Sequence, residues 1–332
     1  MRVVWRAIRR FRIRKLYNSN QWNKAQHLSR QYLMCDNDEQ FHRDIILRSL
    51  WNLGLYDEMI GFALAYPSKL SNKYIENAKS RLGHGVDPLP SFHESISWDK
   101  ENLLENWYQE GDIVWLRHPW GWTHWAMPPG FKIEKTHKSL LELAMHVLLR
   151  PWVKQIDNIK TESRDYGEKL ALSYSGGTDS AAAAILLPDD TILSYHERSF
   201  PSMLSHELPH LLFNYLHEKL GRDVLCISSN HERIRTFHGK ANGFSTDYAA
   251  GVHLILLADF LNLKGIAFGT PIDNTWLKKG RKFRDFSESW HWKHWREKFA
   301  HAGLDLELPI NHISEAGALL YIDMTCNTED ID

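Results

Sequence analysis

The stretch that decides the fold is Lys169-Leu170-Ala171-Leu172-Ser173-Tyr174-Ser175-Gly176-Gly177-Thr178-Asp179-Ser180-Ala181-Ala182-Ala183-Ala184-Ile185-Leu186-Leu187. Its first six residues predict a short buried strand, and the alanine-rich run at its end predicts a helix. Gly176 and Gly177 allow a sharp turn and a close approach of the backbone to a ligand. Hydroxyl and amide groups gathered at a helix N-terminus form an anion site, for which phosphate is the usual ligand. The stretch therefore predicts a phosphate-binding loop.

The loop from Ser175 to Ser180 resembles the Ser-Gly-Gly-x-Asp-Ser loop of the PP-loop ATP pyrophosphatases. That resemblance implies a Rossmann-like fold of the adenine nucleotide alpha hydrolase (HUP) type, with ATP and Mg²⁺ as cofactors. It implies cleavage of ATP to AMP and pyrophosphate, and adenylation of a substrate oxygen. By the same resemblance Asp179 is a catalytic candidate, and the pyrophosphate is held by Ser175, Gly176, Gly177, Thr178, Asp179 and Ser180. The alternative is an ordinary turn that is rich in small residues.

The chain after residue 165 alternates between strand-like and helix-like segments. The predicted strands are 169–174, 191–195, 223–228, 265–269 and 305–308. The predicted helices are 180–187, 203–220, 246–263 and 287–301. Such alternation predicts an α/β domain with a parallel sheet, helices on both faces and ligands at the carboxyl ends of the strands. The phosphate loop follows the first of these strands, where a nucleotide is expected.

We predict three segments in the chain: a helical one at 1–83, a Trp-rich one at 84–165 and the nucleotide domain at 166–332. In the first segment, Trp22 and Tyr56 are 34 residues apart, which is the period of tetratricopeptide repeats. Gly54 stands two residues before Tyr56, as that repeat expects, and Asn20 takes its place in the first copy. These repeats either bind a partner protein or form a helical support for the rest of the chain.

The second segment is rich in tryptophan and proline. Residues 112–117 and 123–127 predict a hairpin, and 137–149 predicts a helix that ends before Pro151. The tryptophans either stack on a sugar or base ring or form a small aromatic core.

Charge is unevenly distributed along the chain. Residues 1–35 contain nine Lys or Arg and no Asp or Glu, so with an overall net charge of −1 the remaining residues carry −10. Near the N-terminus, Val4, Ile8 and Phe11 follow helical spacing among these basic residues. The pattern fits either a basic amphipathic helix on an anionic membrane surface or a solvated helix that docks on the next part of the chain. The near-neutral chain as a whole argues mildly against a nucleic acid partner.

Composition indicates a soluble globular protein, with 43% hydrophobic and 24% charged residues. The three cysteines, Cys35, Cys226 and Cys326, are widely separated and odd in number, which favours a reducing, cytoplasmic environment. The sequence contains no Cys-x-x-Cys pair, which argues against the sulfur-inserting tRNA enzymes that use one.

Three further segments carry candidate chemistry. Gly243-Phe244-Ser245-Thr246-Asp247 predicts a helix start, where Asp247 either favours the positive helix end or binds a metal ion or substrate. Gly269 to Thr275 follows a predicted strand. A basic run that could bind phosphates or carboxylates comprises Lys278, Lys279, Arg281, Lys282 and Arg284.

His206-Glu207-Leu208-Pro209-His210 matches the His-Glu-x-x-His string of zinc proteases. Pro209 weakens this interpretation, because proline breaks or kinks the continuous helix that such a site needs.

The second half resembles a less common branch, the ATP-dependent UDP-N-acetylmuramoyl-L-alanyl-L-glutamate epimerase (MurL-type) family. The resemblance covers about residues 166–318. Its segments are Gly243–Asp247, Leu256-Leu257-Ala258-Asp259, Ala267-Phe268-Gly269-Thr270, Lys282-Phe283-Arg284-Asp285, Trp292, Trp295, Phe299, Ala302-Gly303-Leu304, Leu308-Pro309-Ile310 and Ile313-Ser314-Glu315-Ala316-Gly317.

This resemblance implies adenylation of a glutamyl carboxylate in a nucleotide-sugar peptide, followed by inversion at its α-carbon. It makes Asp247 a catalytic, metal-binding or substrate-binding candidate, and His253 and Glu315 candidates for the base. A related cell-envelope precursor could be the substrate instead. Two other functions stay open: a tRNA- or sulfur-modifying enzyme, and a catalytically degenerate nucleotide-binding scaffold whose helical repeats bind a protein.

Overall fold

The computed structural model describes residues 2–33, 39–82, 88–200, 206–238, 240, 242–278 and 281–326. Its contacts divide the chain into two compact units. The helical unit comprises Met1–Asp87 and Thr236–Asn242, and the sheet unit comprises Pro88–Arg235 and Gly243–Asp332. The predicted boundary between residues 83 and 84 lies outside the described residues. The Trp-rich segment from residue 88 onward therefore shares one unit with the predicted nucleotide domain.

The described part of the helical unit contains five α-helices, which are α1 (Arg2–Asn18), α2 (Trp22–Leu33), α3 (Glu39–Asn52), α4 (Tyr56–Ala65) and α5 (Lys69–Leu82). Two apolar clusters hold them together. One is centred on Ile13, Ala25 and Ile45, and the other on Ile46, Leu50 and Met59.

The 34-residue repeat is visible in the turns of this unit. Asn20 ends the α1–α2 turn with a φ of 58°, and Gly54 occupies the same place in the α3–α4 turn with a φ of 72°. In both turns the amide of the next residue donates a hydrogen bond to the carbonyl five residues earlier. The Gln21 amide donates to the Leu16 carbonyl at 3.0 Å, and the Leu55 amide donates to the Leu50 carbonyl at 3.0 Å. Glycine and asparagine are the residues that most readily adopt this left-handed conformation. The two helix pairs therefore share one turn geometry.

Within the described ranges the sheet unit contains ten strands. They are β1 (Trp107–Glu110), β2 (Ile113–His118), β3 (Gly121–Ala126), β4 (Lys169–Ser173), β5 (Ile192–Arg198), β6 (Val224–Ser229), β7 (Leu263–Phe268), β8 (Leu277–Lys278), β9 (Lys282–Phe283) and β10 (Asp305–Glu307). Eight of them form one sheet in the order β1-β2-β3-β6-β5-β4-β7-β10, and β8 pairs with β9.

Five strands of this sheet, β6-β5-β4-β7-β10, are parallel to their neighbours. Numbered along the chain, these strands have the order 3-2-1-4-5, which is the order of Rossmann-like folds. The Trp-rich hairpin extends the sheet, because β3 pairs antiparallel to β6 through Trp125 and Ser229. The α/β prediction is confirmed, and the sheet is consistent with a Rossmann-like fold.

Six α-helices are found among the described residues of this unit, and they are α6 (Lys138–Leu149), α7 (Thr178–Leu186), α8 (Glu207–Leu220), α9 (Val252–Leu256), α10 (Trp290–His301) and α11 (Glu315–Cys326). Neighbouring residues of the central strands belong to two separate cores. Ala171 and Ile266 face the core that contains α6, α9 and α10, while Leu172 and Ala267 face the core that contains α7, α8 and α11. The parallel strands are thus buried on both faces, as such sheets usually are.

The structure differs from the predicted helix at 246–263. Only Val252–Leu256 is α-helical, and a 3-10 turn at Ala249–Gly251 precedes it. The Thr246 hydroxyl donates to the carbonyl of Val147 at 2.8 Å, so this segment is fixed by a tertiary contact before the helix begins. Helix α11, which the sequence pattern did not predict, completes the layer beside α7.

No helix among the described residues is long and apolar enough to cross a membrane.

Candidate functional site

The loop between β4 and α7 is held by its own serine side chains. The Ser180 hydroxyl accepts the Ser175 amide at 3.2 Å and donates to the Gly177 carbonyl at 2.9 Å. The Ser175 hydroxyl lies 3.0 Å from that of Ser180 and accepts the Gly177 amide at 3.3 Å. Gly176, with a φ of 72°, supplies the left-handed turn. The loop conformation is therefore fixed locally, by residues within six positions.

Helix α7 begins at this loop without a side-chain cap. Its N-cap is Gly177, and no side chain accepts a hydrogen bond there. The first amides of a helix have no intrahelical acceptor, and the helix dipole adds positive potential at this end. An anion in front of Thr178 and Asp179 would accept hydrogen bonds from these amides and would be attracted by the positive potential.

Gly269 brings the end of β7 against the start of α7. A Cβ atom at Gly269 would lie 2.7 Å from the Ser180 amide nitrogen and 2.8 Å from the Asp179 carbonyl. Strands β4 and β7 are adjacent, and the chain order reverses between them. Ligands of open α/β sheets bind in the crevice at this reversal. The close contact places the loop at that crevice.

A cavity of about 730 Å³ opens in front of the loop. Its walls come from Ser173, Tyr174, Ser175, Gly177, Thr178, Asp179, Ser180, Tyr195, His196, Arg198, Pro209, Glu232, Phe244, Asp247, Ala250, Phe268, Gly269, Thr270, Glu315 and Leu319. The structure thus brings most of the predicted loop residues together with Asp247 and Glu315. Gly176 and His253 are not among the lining residues.

Asp179 lies in a negative environment at the loop. Partial burial raises the pKa of Asp179 above its ordinary value, and the nearby carboxylates of Glu315 and Asp273 raise it further. Asp273 in turn accepts the Glu315 amide at 3.2 Å. Within the described ranges, no three His, Cys, Asp or Glu side chains are arranged to hold a metal ion by themselves. Repulsion between these carboxylates would be relieved by a cation that also binds phosphate.

Asp247 reaches the same cavity from another part of the chain and is paired with a histidine. Its Oδ2 lies 3.2 Å from His291 Nε2, and this hydrogen bond holds the pKa of Asp247 below its ordinary value. His291 stacks on the buried ring of Tyr248, with the ring centroids 6.1 Å apart. Asp247 is therefore an ionised carboxylate with a fixed partner.

A further part of the cavity wall was not predicted from the sequence. It comes from the carboxyl end of β5, with Tyr195, His196 and Arg198, and from Glu232 just after β6. Arg198 binds Glu232 through two hydrogen bonds, at 2.9 Å from Nε and 2.7 Å from Nη2. The sequence feature that could have indicated it is the polar run Tyr195-His196-Glu197-Arg198 at the carboxyl end of a predicted strand. Ligands of such sheets bind at the carboxyl ends of the strands.

Two buried histidines, His231 and His253, lie behind His196. The ring centroids of His196 and His231 are 4.2 Å apart, and those of His196 and His253 are 6.4 Å apart. Burial lowers the pKa of both His196 and His253 to about 3, and it lowers that of His231 well below the ordinary value. All three rings are thus neutral at neutral pH. His253, a candidate for the base, is fully buried and does not line the cavity.

This cluster predicts that the protein loses stability in mild acid. The unfolded histidines, with pKa near 6.5, bind protons before the folded ones do, so the stabilisation is complete above that pKa and falls as pH drops towards 3. Between about pH 7.5 and about pH 5.5, each buried histidine should reduce the free energy of unfolding by about 1 kcal/mol.

Urea unfolding of wild type and His253→Phe at the two pH values tests this. Phenylalanine removes the titrating ring, and the hydrogen bond of His253 to the backbone of Ser194 is lost at both pH values alike. Between the two pH values, the free energy of unfolding of the variant should fall by about 1 kcal/mol less than that of wild type. An equal loss in both proteins would contradict the buried neutral ring.

The two histidines of the His-Glu-x-x-His string bind different partners. His206 Nδ1 lies 2.6 Å from the Tyr195 hydroxyl, and His210 Nε2 lies 3.3 Å from Glu197 Oε1. Helix α8 begins at Glu207, so His206 stands outside it as its N-cap. These contacts anchor α8 to the end of β5, and Pro209 forms part of the cavity wall.

Among the residues that the structure describes, neither the basic run nor the tryptophans line the cavity. Arg281, Lys282 and Arg284 lie in or beside the small β8–β9 hairpin, and Lys279 lies outside the described residues. Trp115 and Trp125 are buried with 2% and 0% of their surface exposed. Trp125 belongs to the same core as α6 and α10, which favours the aromatic-core interpretation of the hairpin.

Comparisons of the chain with protein families, with characterised proteins and with solved structures give no match.

Proposed function

We propose that this protein binds ATP in the cavity and adenylates a substrate carboxylate, with release of pyrophosphate. One observation carries the proposal. The Ser-Gly-Gly-Thr-Asp-Ser loop joins β4 to an uncapped helix at the crevice of a 3-2-1-4-5 sheet, and it lines a cavity of about 730 Å³. A strand, a glycine turn and a free helix N-terminus at this place are what polyphosphate binding requires.

The residues present fit both a polyphosphate and its metal ion. The amides at the start of α7 and the hydroxyls of Ser175 and Thr178 would face the phosphates. Mg²⁺ at such sites is commonly held by one or two carboxylates together with substrate phosphates, and it neutralises the charge that develops there. Asp179 and Glu315 are the carboxylates that we assign to it, since Asp247 already has His291 as a partner.

Adenylation in this cavity is a single displacement at phosphorus. A carboxylate oxygen of the substrate attacks the α-phosphorus of ATP, and the bond from that phosphorus to the oxygen bridging the α- and β-phosphates breaks. The products are an acyl-adenylate and pyrophosphate, whose new charge would lie against the helix N-terminus. The chain's part is to hold the two reactants in line and to stabilise the leaving group.

Epimerisation is the candidate for the step after adenylation. A free carboxylate opposes removal of the α-proton, because a second negative charge would form beside the first, whereas the acyl-adenylate removes this repulsion. Asp247 lines the cavity and is not assigned to the metal ion. Asp247 would take the α-proton and a second acid would return a proton on the opposite face, after which water releases AMP. A glutamyl residue of a UDP-muramoyl peptide or of a related cell-envelope precursor is the substrate that we propose.

The purified protein should therefore form pyrophosphate and AMP in equal amounts from ATP and Mg²⁺ when the right acceptor is present. A screen of UDP-muramoyl peptides, other carboxylates and tRNA measures pyrophosphate release, with AMP quantified in parallel. Deuterium incorporation from D₂O at the substrate α-carbon would identify epimerisation.

The alternative functions predict different results in the same screen. Turnover that requires tRNA would favour an RNA-modifying enzyme. ATP binding that raises the melting temperature without any turnover would favour a nucleotide-binding scaffold. Absence of ATP binding in a folded protein would overturn the proposal altogether.

A further inference from the structure

Helix α1 is the most basic element of the chain. It contains seven basic residues and no acidic residue. These residues are Arg2, Arg6, Arg9, Arg10, Arg12, Arg14 and Lys15. Such a helix attracts an anionic partner, and its two faces show what kind of partner fits.

One face of α1 packs inside the helical unit. Ile13 is fully buried in a cluster with Ala25 and Ile45. Beside it, the Arg9 guanidinium lies 4.6 Å from the ring centroid of Tyr32, and that of Arg10 lies 5.2 Å from the centroid of Phe41. This face therefore fixes how α1 is oriented on its neighbours.

The opposite face combines exposed apolar and basic residues. Phe11 is 70% exposed and Ile8 is 53% exposed, and Lys15 lies further along the same helical stripe. At 100° per residue these three positions lie within one third of the helix circumference, roughly opposite Ile13. Arg12, also exposed, borders the stripe. Leaving Phe11 in water is unfavourable, so this arrangement is costly for a helix that faces only solvent.

We propose that this outer face of α1 binds the surface of a lipid bilayer that contains anionic phospholipids. Phe11 and Ile8 would enter the boundary between headgroups and acyl chains, while Arg12 and Lys15 bind the phosphates. A nucleic acid would satisfy the basic residues but offers Phe11 and Ile8 no apolar layer. The apolar pair therefore favours a membrane surface over a nucleic acid. Membrane binding of this kind is independent of the ATP chemistry, because it uses only residues of the helical unit.

Sedimentation with vesicles tests this on the full chain. The protein should bind vesicles of phosphatidylglycerol and phosphatidylcholine, and it should bind pure phosphatidylcholine at least about tenfold more weakly. Ile8→Ala with Phe11→Ala should weaken binding to the anionic vesicles about tenfold or more. Arg12→Glu with Lys15→Glu should do the same and remove most of the salt dependence.

Matched controls keep the result interpretable. Leu64→Ala removes a side chain on α4 that is 64% exposed, and it should leave vesicle binding unchanged. Circular dichroism and thermal melting of each variant separate lost binding from lost folding. Equal binding to neutral and anionic vesicles, or no binding by a folded protein, would overturn the proposal. So would binding to a structured RNA that depends on Arg12 and Lys15 but not on Phe11 and Ile8, together with no vesicle binding.

Discussion

Asp179→Asn is expected to lower the rate of pyrophosphate release by about a hundredfold to a thousandfold. Asparagine keeps the shape of the side chain and removes the charge that we assign to the metal–phosphate complex. Steady-state pyrophosphate release with the best acceptor from the screen measures the effect. Because the loss concerns charge stabilisation during reaction, kcat should fall more than the affinity for ATP.

The same substitution should not reduce stability. Burial and the neighbouring carboxylates raise the pKa of Asp179 in the folded state, so its ionised form destabilises the fold at neutral pH. Asp179→Asn should therefore leave the melting temperature at pH 7 unchanged or raise it. Asp189→Asn, on an exposed turn, is the matched control and should leave activity unchanged. An active Asp179→Asn enzyme would exclude the proposed role of this carboxylate.

Gly269→Ala is expected to weaken ATP binding at least about tenfold and to cost about 1–3 kcal/mol of stability. The added methyl would lie 2.7–2.8 Å from backbone atoms of Asp179 and Ser180, so the start of α7 or the end of β7 must move. The contacted atoms belong to the backbone, which cannot move aside as easily as the end of a flexible side chain. Isothermal titration with ATP and urea unfolding measure the two effects.

Gly61→Ala provides the comparison for that variant. Gly61 lies on an exposed side of α4, and a Cβ there meets no atom within 4 Å. Because alanine is a better helix former than glycine, the free energy of unfolding of this variant should rise by up to about 1 kcal/mol. The variant should bind ATP as wild type does. If Gly269→Ala behaved like Gly61→Ala, the contact between β7 and the loop would not constrain the site.

Local features of the sequence predicted the parts of this protein that are fixed over short distances. The loop from Ser175 to Ser180 is held by hydrogen bonds between residues at most five positions apart, so its composition is enough to predict its conformation. The turns at Asn20 and Gly54 obey the same principle, because each depends on one residue that tolerates a positive φ. Four of the five parallel strands were predicted for a related reason, since β4, β5, β6 and β7 each contain a short apolar run that can be recognised without its neighbours. The fifth, β10, is the short segment Asp305–Glu307 with a single buried apolar residue.

The helix predicted at 246–263 was wrong over most of its length for the opposite reason. Residues 252–258 are mostly apolar, which fits a buried helix, yet the side-chain bond from Thr246 to Val147 and the packing of Gly251 against Phe268 shape this segment. Both contacts join residues that are distant in sequence. Helical periodicity carries no information about them.

Sequence alone determined the glycine-containing loop, its strand–loop–helix setting and the alternating pattern behind it, because all of these depend on near neighbours in the chain. Only the tertiary structure decided which distant residues share the cavity with the loop. The sheet order places the end of β5, with His196 and Arg198, on one side of β4, and it places Gly269 on the other. Glu315 reaches the cavity through α11, which packs beside α7. Long-range strand order and helix packing, which residues close together in sequence do not encode, thus place a locally formed loop in a candidate site.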